Sequence, residues 1–374
     1  MKKNILTQQI DNKTITWLRK TNQYVLLENK TADILIDLDS KIPINNIASK
    51  LSDELNIPTK EAKLFIQELE HQFLNNTIKN DENKLQENID TPLAYDVIKC
   101  YKINDIIIKV CFESEYELSL IHPKFAHLVS TNVKEKHLFE VFSKNEKTHL
   151  IVNGSHIGSW HQKEIHFFQG KFSMELIQKI HQKEEKEWMG IFHASALSNG
   201  KESILFLGDS GNGKSTSLSI LQANGYICLA DDFVPIDKKS QNVFSFPSAI
   251  SIKKTALPVL TSMYPELEHA AEYHFKKLNK IVRYLPPNNN DYSTHLPCNN
   301  LVFIKYEKDS EININKINKE EAFIQLIPDT WLNHCEKAAT SFLQWFSKTN
   351  CYQLTYSNNN KMISTVKKIF NNEL

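Results

Sequence analysis

The sequence predicts an α/β protein in three parts: a small helical module, a strand-rich middle, and a unit of alternating strand, loop and helix that holds a phosphate-binding loop. Three observations predict it. Apolar residues recur at helical spacing between positions 44 and 69, and short apolar runs bounded by Asn, Gly or charge fill 93–170. From Ser203 an apolar run, a glycine-rich turn and an amphipathic segment follow one another directly. A chain of 374 residues is too long for one ordinary core, which agrees with several domains. The divisions expected are 1–80, a polar linker 81–92, a β-rich region 93–173 and a catalytic unit 174–374.

In the first part, TITWLRKTNQYVLLE has two apolar stretches around a polar NQ turn and reads as a hairpin. Ile44, Ile47 and Leu51, then Ala62, Phe65, Ile66 and Leu69, have the spacing of helices that bury one face. Thr59 after Pro58 is the expected N-cap of the second, with Glu61 in its first turn. The module is thus a hairpin with about three helices.

In the middle part, DIIIKVCFE, THLIVN and IHFFQG read as strands. Its histidines, His122, His127, His137, His149, His156, His161 and His166, form no helical pair beside a carboxylate, so packing or solvated roles are expected rather than metal ligation. MELIQKIHQKEEKEWMG, Met174 to Gly190, reads as a helix leading into the last part.

Composition narrows the function. Lys and Arg number 44 and so do Asp and Glu, a formal net charge of +0 that argues against a general nucleic-acid surface. No apolar run reaches the roughly 18 residues of a membrane span, and no apolar stretch follows the N-terminal lysines, so a cytoplasmic protein without a membrane partner is expected. Six scattered cysteines without a CxxC pair predict reduced, mostly buried thiols. Arginine occurs only at Arg19 and Arg283.

The informative stretch is SILFLGDSGNGKSTSLSILQANG. Three of the chain's nine glycines lie in Gly208 to Gly213, between an apolar strand and a helix carrying Leu218, Ile220 and Leu221. This strand–loop–helix order is the context a GxxxxGK[ST] match requires. Glycine there lets successive N–H groups turn toward one anion, and the helix N-terminus adds partial positive charge. Gly208, Asp209, Ser210, Gly211, Asn212, Gly213, Lys214, Ser215 and Thr216 are the expected phosphate-binding residues. Lys214 would reach the β/γ-phosphates of ATP, and the Ser215 hydroxyl would ligate Mg²⁺.

The helix stops at Asn224-Gly225, and YICLADD follows as a strand ending in Asp231 and Asp232. Two parallel strands of one sheet end at the same edge, so both aspartates should emerge beside the loop. One carboxylate would bind Mg²⁺ and the other accept a hydroxyl proton; the alternative is that they cap the turn before Pro235. Upstream, GIFHASALSNGKESILFLG suggests a hairpin that carries His193 on its first strand and returns near Asn199-Gly200.

HAS, GDSGNGKST, ANG and ADD, in this order and at these separations, resemble the HPr kinase/phosphorylase family and related serine kinases, whose loop sits in a phosphoenolpyruvate-carboxykinase-like fold. The similarity is close over His193 to Asp232 and weaker through FPSAISIKK, IVRYLPP, LVFIKY, EEAFIQLIP and CYQLTYS. The resemblance implies that Ser215 and Asp231 hold Mg²⁺, that Asp232 is the general base for an attacking serine hydroxyl, and that His193 lies in the site. Arg283 is the candidate for stabilising charge on the transferred group. Two departures separate the chain from enzymes that act on HPr: Thr216 stands where they usually carry Glu, and their glycine-rich second signature is missing. Relatives of this kind are often oligomeric, which makes a homo-oligomer a further expectation.

YVLLENKTADILIDLDSKIPINNIASKLSDELNIPTKEAKLFIQEL resembles the PqqD-like leader-peptide-binding domains, small winged-helix folds that add a leader strand to a sheet edge. Together the two resemblances imply an ATP- and Mg²⁺-dependent kinase for a serine or threonine of a ribosomally made precursor peptide, whose leader the N-terminal domain captures. A kinase for free serine or a carrier protein, and a nucleotide-binding switch without transfer chemistry, are the alternatives.

Overall fold

The computed structural model describes residues 3–75, 90–131, 134–275 and 280–374. Most of the expected linker lies outside them. The fold is α/β, with a mixed ten-stranded sheet at its centre and three smaller sheets.

Where a two-stranded hairpin was expected, the N-terminal module has three antiparallel strands, β1 (Ile5–Ile10), β2 (Lys13–Leu18) and β3 (Gln23–Glu28). The first escaped detection because ILTQQI buries only its two end residues. Helices α1 (Asn29–Asp39), α2 (Ile44–Leu55) and α3 (Thr59–Leu69) pack on this sheet through Leu35, Ile47, Leu51, Ala62 and Ile66. Two expectations for α3 are corrected. Pro58, not Thr59, is the N-cap, because its carbonyl accepts the amides of Glu61 and Ala62 while its own nitrogen has no proton to leave orphaned. Phe65 is exposed, since α3 buries a narrower stripe centred on Ala62, Ile66 and Leu69.

The middle sheet runs in the order β4 (Val97–Ile103), β5 (Ile106–Phe112), β6 (His137–Lys144), β7 (Lys147–Val152), β8 (Ser155–His161). Only β5 and β6 are parallel, and α4 (Glu115–Phe125) lies between them in the chain. IHFFQG is not a strand. It opens α5 (Ile165–His181), whose Phe168 and Phe172 are buried and recur one helical turn apart. The expected helix to Gly190 instead ends at His181, where Gln182 adopts a left-handed conformation (φ 51°), and Trp188 to Gly190 already belong to a strand. The boundary expected at 173/174 therefore falls inside α5.

The central sheet is built from β9 (Trp188–Phe192), β10 (Ser195–Ser198), β11 (Ser203–Leu207), β12 (Ile227–Asp231), β13 (Val234–Asp237) and β14 (Asn242–Phe244) with strands from further along the chain. Helix α6 (Lys214–Ala223) joins β11 to β12. After them come β15 (Ile250–Lys253), α7 (Leu257–Leu260), β16 (Tyr273–Phe275) and β17 (Lys280–Leu285), whose strands form a small separate sheet. The chain ends with β18 (His295–Tyr306), β19 (Asn313–Lys316), α8 (Lys319–Leu326), β20 (Thr330–Leu332), α9 (Glu336–Lys348), β21 (Asn350–Tyr356) and α10 (Asn359–Phe370).

The long strand β18 joins two halves of the sheet. Its first residues pair with β14, leading to β13, β9 and the edge strand β20; its later residues run parallel to β11 and β21. β12 is parallel to β11 but one strand removed, because β10 lies between them, antiparallel to both. Two short connections carry the chain between the halves, from β9 to β10 through His193-Ala194 and from β12 to β13 through Asp232-Phe233.

One apolar core continues from the middle sheet into the central one, with Phe125 edge-on to Phe246 at 5.9 Å. Another lies under α6 and α10 on the opposite face. The N-terminal module is seated on α8, α9 and β20: Arg19 pairs with Glu336, Lys13 with Glu320 at 2.5 Å, the Asn22 amide donates to the Leu332 carbonyl at 2.9 Å, and Tyr24 meets Phe342 edge-on. Among the described residues no helix is long and apolar enough to cross a membrane. Of the six cysteines, all unbridged, only Cys335 is not buried.

Candidate active site

Buried, regular β11 delivers the chain to the sheet edge, and the loop that follows is glycine by necessity. Gly208, Gly211 and Gly213 have φ of 129°, 108° and 93°, conformations that side chains rarely adopt. At Gly208 a Cβ would also stand 2.9 Å from the Ile304 carbonyl. The Tyr306 amide pins the loop by donating to the Asn212 carbonyl at 2.9 Å. Helix α6 begins with no side-chain cap and no acidic residue in its first turn, so its N-terminal amides and partial positive charge face the cavity.

That cavity, of about 270 Å³, is lined by the loop together with His193, Asp232, Ser251 and Lys253. Lys214 is largely buried and its ammonium folds back onto the Gly208 carbonyl. Burial pulls its pKa below the ordinary lysine value, against the carboxylates of Asp232, Asp329, Asp231 and Asp209, which hold it up.

Asp231 ends β12 and is 2% exposed. Its carboxylate accepts from Ser195 at 2.6 Å, from Ser215 at 3.1 and 2.9 Å, and from the Ser251 amide at 3.3 Å. Even so, burial and then the neighbouring Asp232 carboxylate push it well above the ordinary range. A buried carboxylate touching a serine hydroxyl at the foot of the glycine loop is a donor set that suits a hard cation such as Mg²⁺. Ser215 and Asp231 would hold it.

Asp232 has φ 63°, a left-handed conformation that an L-residue takes at some cost and that Asp tolerates better than most. This turns its side chain, 29% exposed, out of the strand to the cavity wall. His193 is not on a hairpin strand as expected. It lies just past β9 at the other crossing, with Nδ1 3.3 Å from the Asp232 carbonyl and 3.9 Å from its carboxylate.

The structure thus brings together Lys214, Ser215, Thr216, Asp231, Asp232 and His193 with the loop residues from Gly208 to Gly213. It does not bring Arg283, which pairs with Glu272 at 2.9 Å and donates to the carbonyls of Leu267 and Glu268. In the β15–β17 pair Arg283 stands opposite Ile252, on the face turned into the core, while the next residue, Lys253, reaches Ser210 at 3.2 Å. Lys253 is a second cation at the cavity beside Lys214, and Asp329 an extra carboxylate near Lys214. The sequence carried Lys253 only inside FPSAISIKK and gave no signal for Asp329, which approaches through the bond from the His193 amide to its carbonyl at 2.9 Å.

Compared with models of known protein families, the chain matches none, and comparison with curated proteins likewise gives no match.

Proposed function

We propose that the chain is an ATP- and Mg²⁺-dependent kinase that phosphorylates a serine or threonine hydroxyl of a ribosomally made precursor peptide. The observation that carries the reading is the meeting, around one cavity, of an uncapped helix N-terminus, Lys214, the Ser215–Asp231 pair and the outward-turned Asp232. The loop amides and Lys214 would take the phosphates, and Lys253 would face the outer oxygens. Bound Mg²⁺ would supply positive charge against the phosphate oxygens.

Asp232 is the base. As the acceptor oxygen bonds to the γ-phosphorus and the bond from that phosphorus to the β–γ bridging oxygen breaks, the hydroxyl proton passes to its carboxylate. A loose transition state asks for position more than for a strong base. His193 sits at the Asp232 backbone and fixes that position. The leader assignment rests on the PqqD-like resemblance of the N-terminal module. Its seating on β20 and α9 keeps a captured peptide close to the cavity and raises the acceptor's local concentration toward millimolar.

The test is transfer of label from γ-labelled ATP, with Mg²⁺, into size-separated fractions of producer-cell extract, comparing the intact protein with Asp232→Asn. Label in a small-peptide fraction only with the intact protein is the expected result. Label in free serine or a carrier protein redirects the substrate. No transfer while ATP still binds makes the chain a nucleotide switch.

A further inference from the structure

A second cavity, of about 350 Å³ and almost wholly apolar, lies beside the first. Its walls are Phe167 and Met174 of α5, Ile191 of β9, Phe233 between β12 and β13, and Trp331 of β20, with the Lys171–Glu185 ion pair at its rim. Three of these walls continue directly into the candidate site. Phe233 follows Asp232, Ile191 stands two residues before His193, and Trp331 two residues after Asp329. Two extended residues span roughly 6.6 Å, so these wall residues stand about one or two peptide residues from those of the candidate site.

The fourth wall contains Gly170, in the interior of α5. Its backbone is ordinary helix, and a Cβ built there meets nothing within 4 Å. Neither conformation nor close packing calls for glycine, which weakens a helix by roughly 1 kcal/mol relative to alanine. What its missing side chain does is leave the apolar cavity open. Phe167 and Trp331, 59% and 48% exposed, are large apolar side chains held in water at the same opening.

Position also indicates what enters. β20 ends the sheet, and its Leu332 carbonyl holds Asn22 of the N-terminal module. Along β20 and the residue before it, Leu332 meets the module, Trp331 lines the cavity and Asp329 lies near Lys214, an order that suits an extended chain rather than a small metabolite. We propose that this cavity receives a bulky apolar side chain, aromatic or branched aliphatic, that lies one or two residues from the phosphorylated hydroxyl of the acceptor peptide. The proposal rests on the peptide-kinase reading above and names the feature by which that kinase selects its acceptor.

The test uses the full chain and synthetic fluorescein-labelled peptides with one serine, varied from Gly to Leu, Phe and Trp at each position within two residues of it. Binding is read with Mg²⁺ and a non-hydrolysable ATP analogue, and transfer with ATP. The chain carrying Gly170→Leu, which fills the cavity, is compared with Gly170→Ala, and Mg·ADP binding and the melting curve report folding. Apolar peptides should bind and react at least about tenfold better than glycine peptides, and Gly170→Leu should erase that difference while Gly170→Ala retains it. Transfer without apolar preference, or a preference that survives Gly170→Leu, overturns the pocket and leaves the kinase reading standing. Apolar-dependent binding that Gly170→Leu removes, without transfer from ATP to any peptide, supports the pocket and defeats the kinase reading. If no peptide binds or reacts, both fall.

Discussion

The Ser215 hydroxyl spans both oxygens of the Asp231 carboxylate, at 3.1 and 2.9 Å, and so occupies the place a cation would share with it. Around it stand the carboxylates of Asp209, Asp232 and Asp329, against the ammonium groups of Lys214 and Lys253. Phosphates entering such a site meet net negative charge, so ADP should bind at least about tenfold more weakly without Mg²⁺, measured by calorimetry with and without chelator. Asp231→Asn removes the buried charge, and the serine hydroxyls can reverse to suit an amide. The free protein should gain about 1–3 kcal/mol at neutral pH in denaturant melts, yet lose the stabilisation by Mg·ADP.

Asp232→Asn and Asp232→Ala separate geometry from chemistry. Asparagine accepts the left-handed backbone that Asp232 adopts at φ 63° but cannot take a proton. Transfer should fall about 10²–10⁴-fold in Asp232→Asn with Mg·ATP binding within a factor of a few. Alanine adds backbone strain to the same loss, so Asp232→Ala should also melt lower than Asp232→Asn, by about 1 kcal/mol.

Lys253, to which sequence reasoning assigned no role, stands where Arg283 was expected. Lys253 stands over the loop at Ser210, whereas Arg283 closes the segment after α7 by holding Leu267, Glu268 and Glu272. Lys253→Met should reduce kcat about 10–100-fold and leave the melting temperature unchanged. Arg283→Met should do the reverse, losing about 1–3 kcal/mol of stability through three orphaned acceptors with kcat nearly intact. Steady-state rates beside melting curves decide between the two assignments.

The contrast shows what was legible. The geometry of the glycine loop could be read because it is local: the positive-φ glycines, Lys214 and Ser215 meet where they stand in the chain, and the flanking elements have ordinary periodicity. The two aspartates could be read because parallel strands end at one edge, and so could the hairpin of β10 and β11, although not the place of β10 between β11 and β12. Lys253, Asp329 and Gly170 could not, since each acts through a neighbour distant in sequence and carries no local pattern. IHFFQG misled because a short stretch with three apolar residues has the same appearance in a strand as in a buried helix turn, and only the partner surface, here β7 and β8, decides. Arg283 misled because rarity is a property of composition and has no bearing on where a side chain points.

His181 gives the fold a pH dependence separate from the candidate site. It ends α5, meets Trp188 and Phe244 edge-on at 5.6 and 5.0 Å, and its Nε2 bonds the Ser245 carbonyl at 2.9 Å. Burial lowers its pKa from 6.5 to about 4, outweighing the carbonyl, and burial likewise lowers His127 to about 4. Between those values the unfolded chain binds protons that the folded chain does not, so stability rises with pH across that window. The contribution is fully present above 6.5 and is lost as the pH falls through 4. Each histidine should account for up to about 3 kcal/mol of that slope. His181→Gln keeps a donor for Ser245 without a titrating ring, and should make the denaturant midpoint between pH 4 and 7 distinctly flatter than in the unaltered chain. An equal slope in the two proteins would mean that His181 charges in place without strain, and that the packing of α5 against Phe244 tolerates a cation.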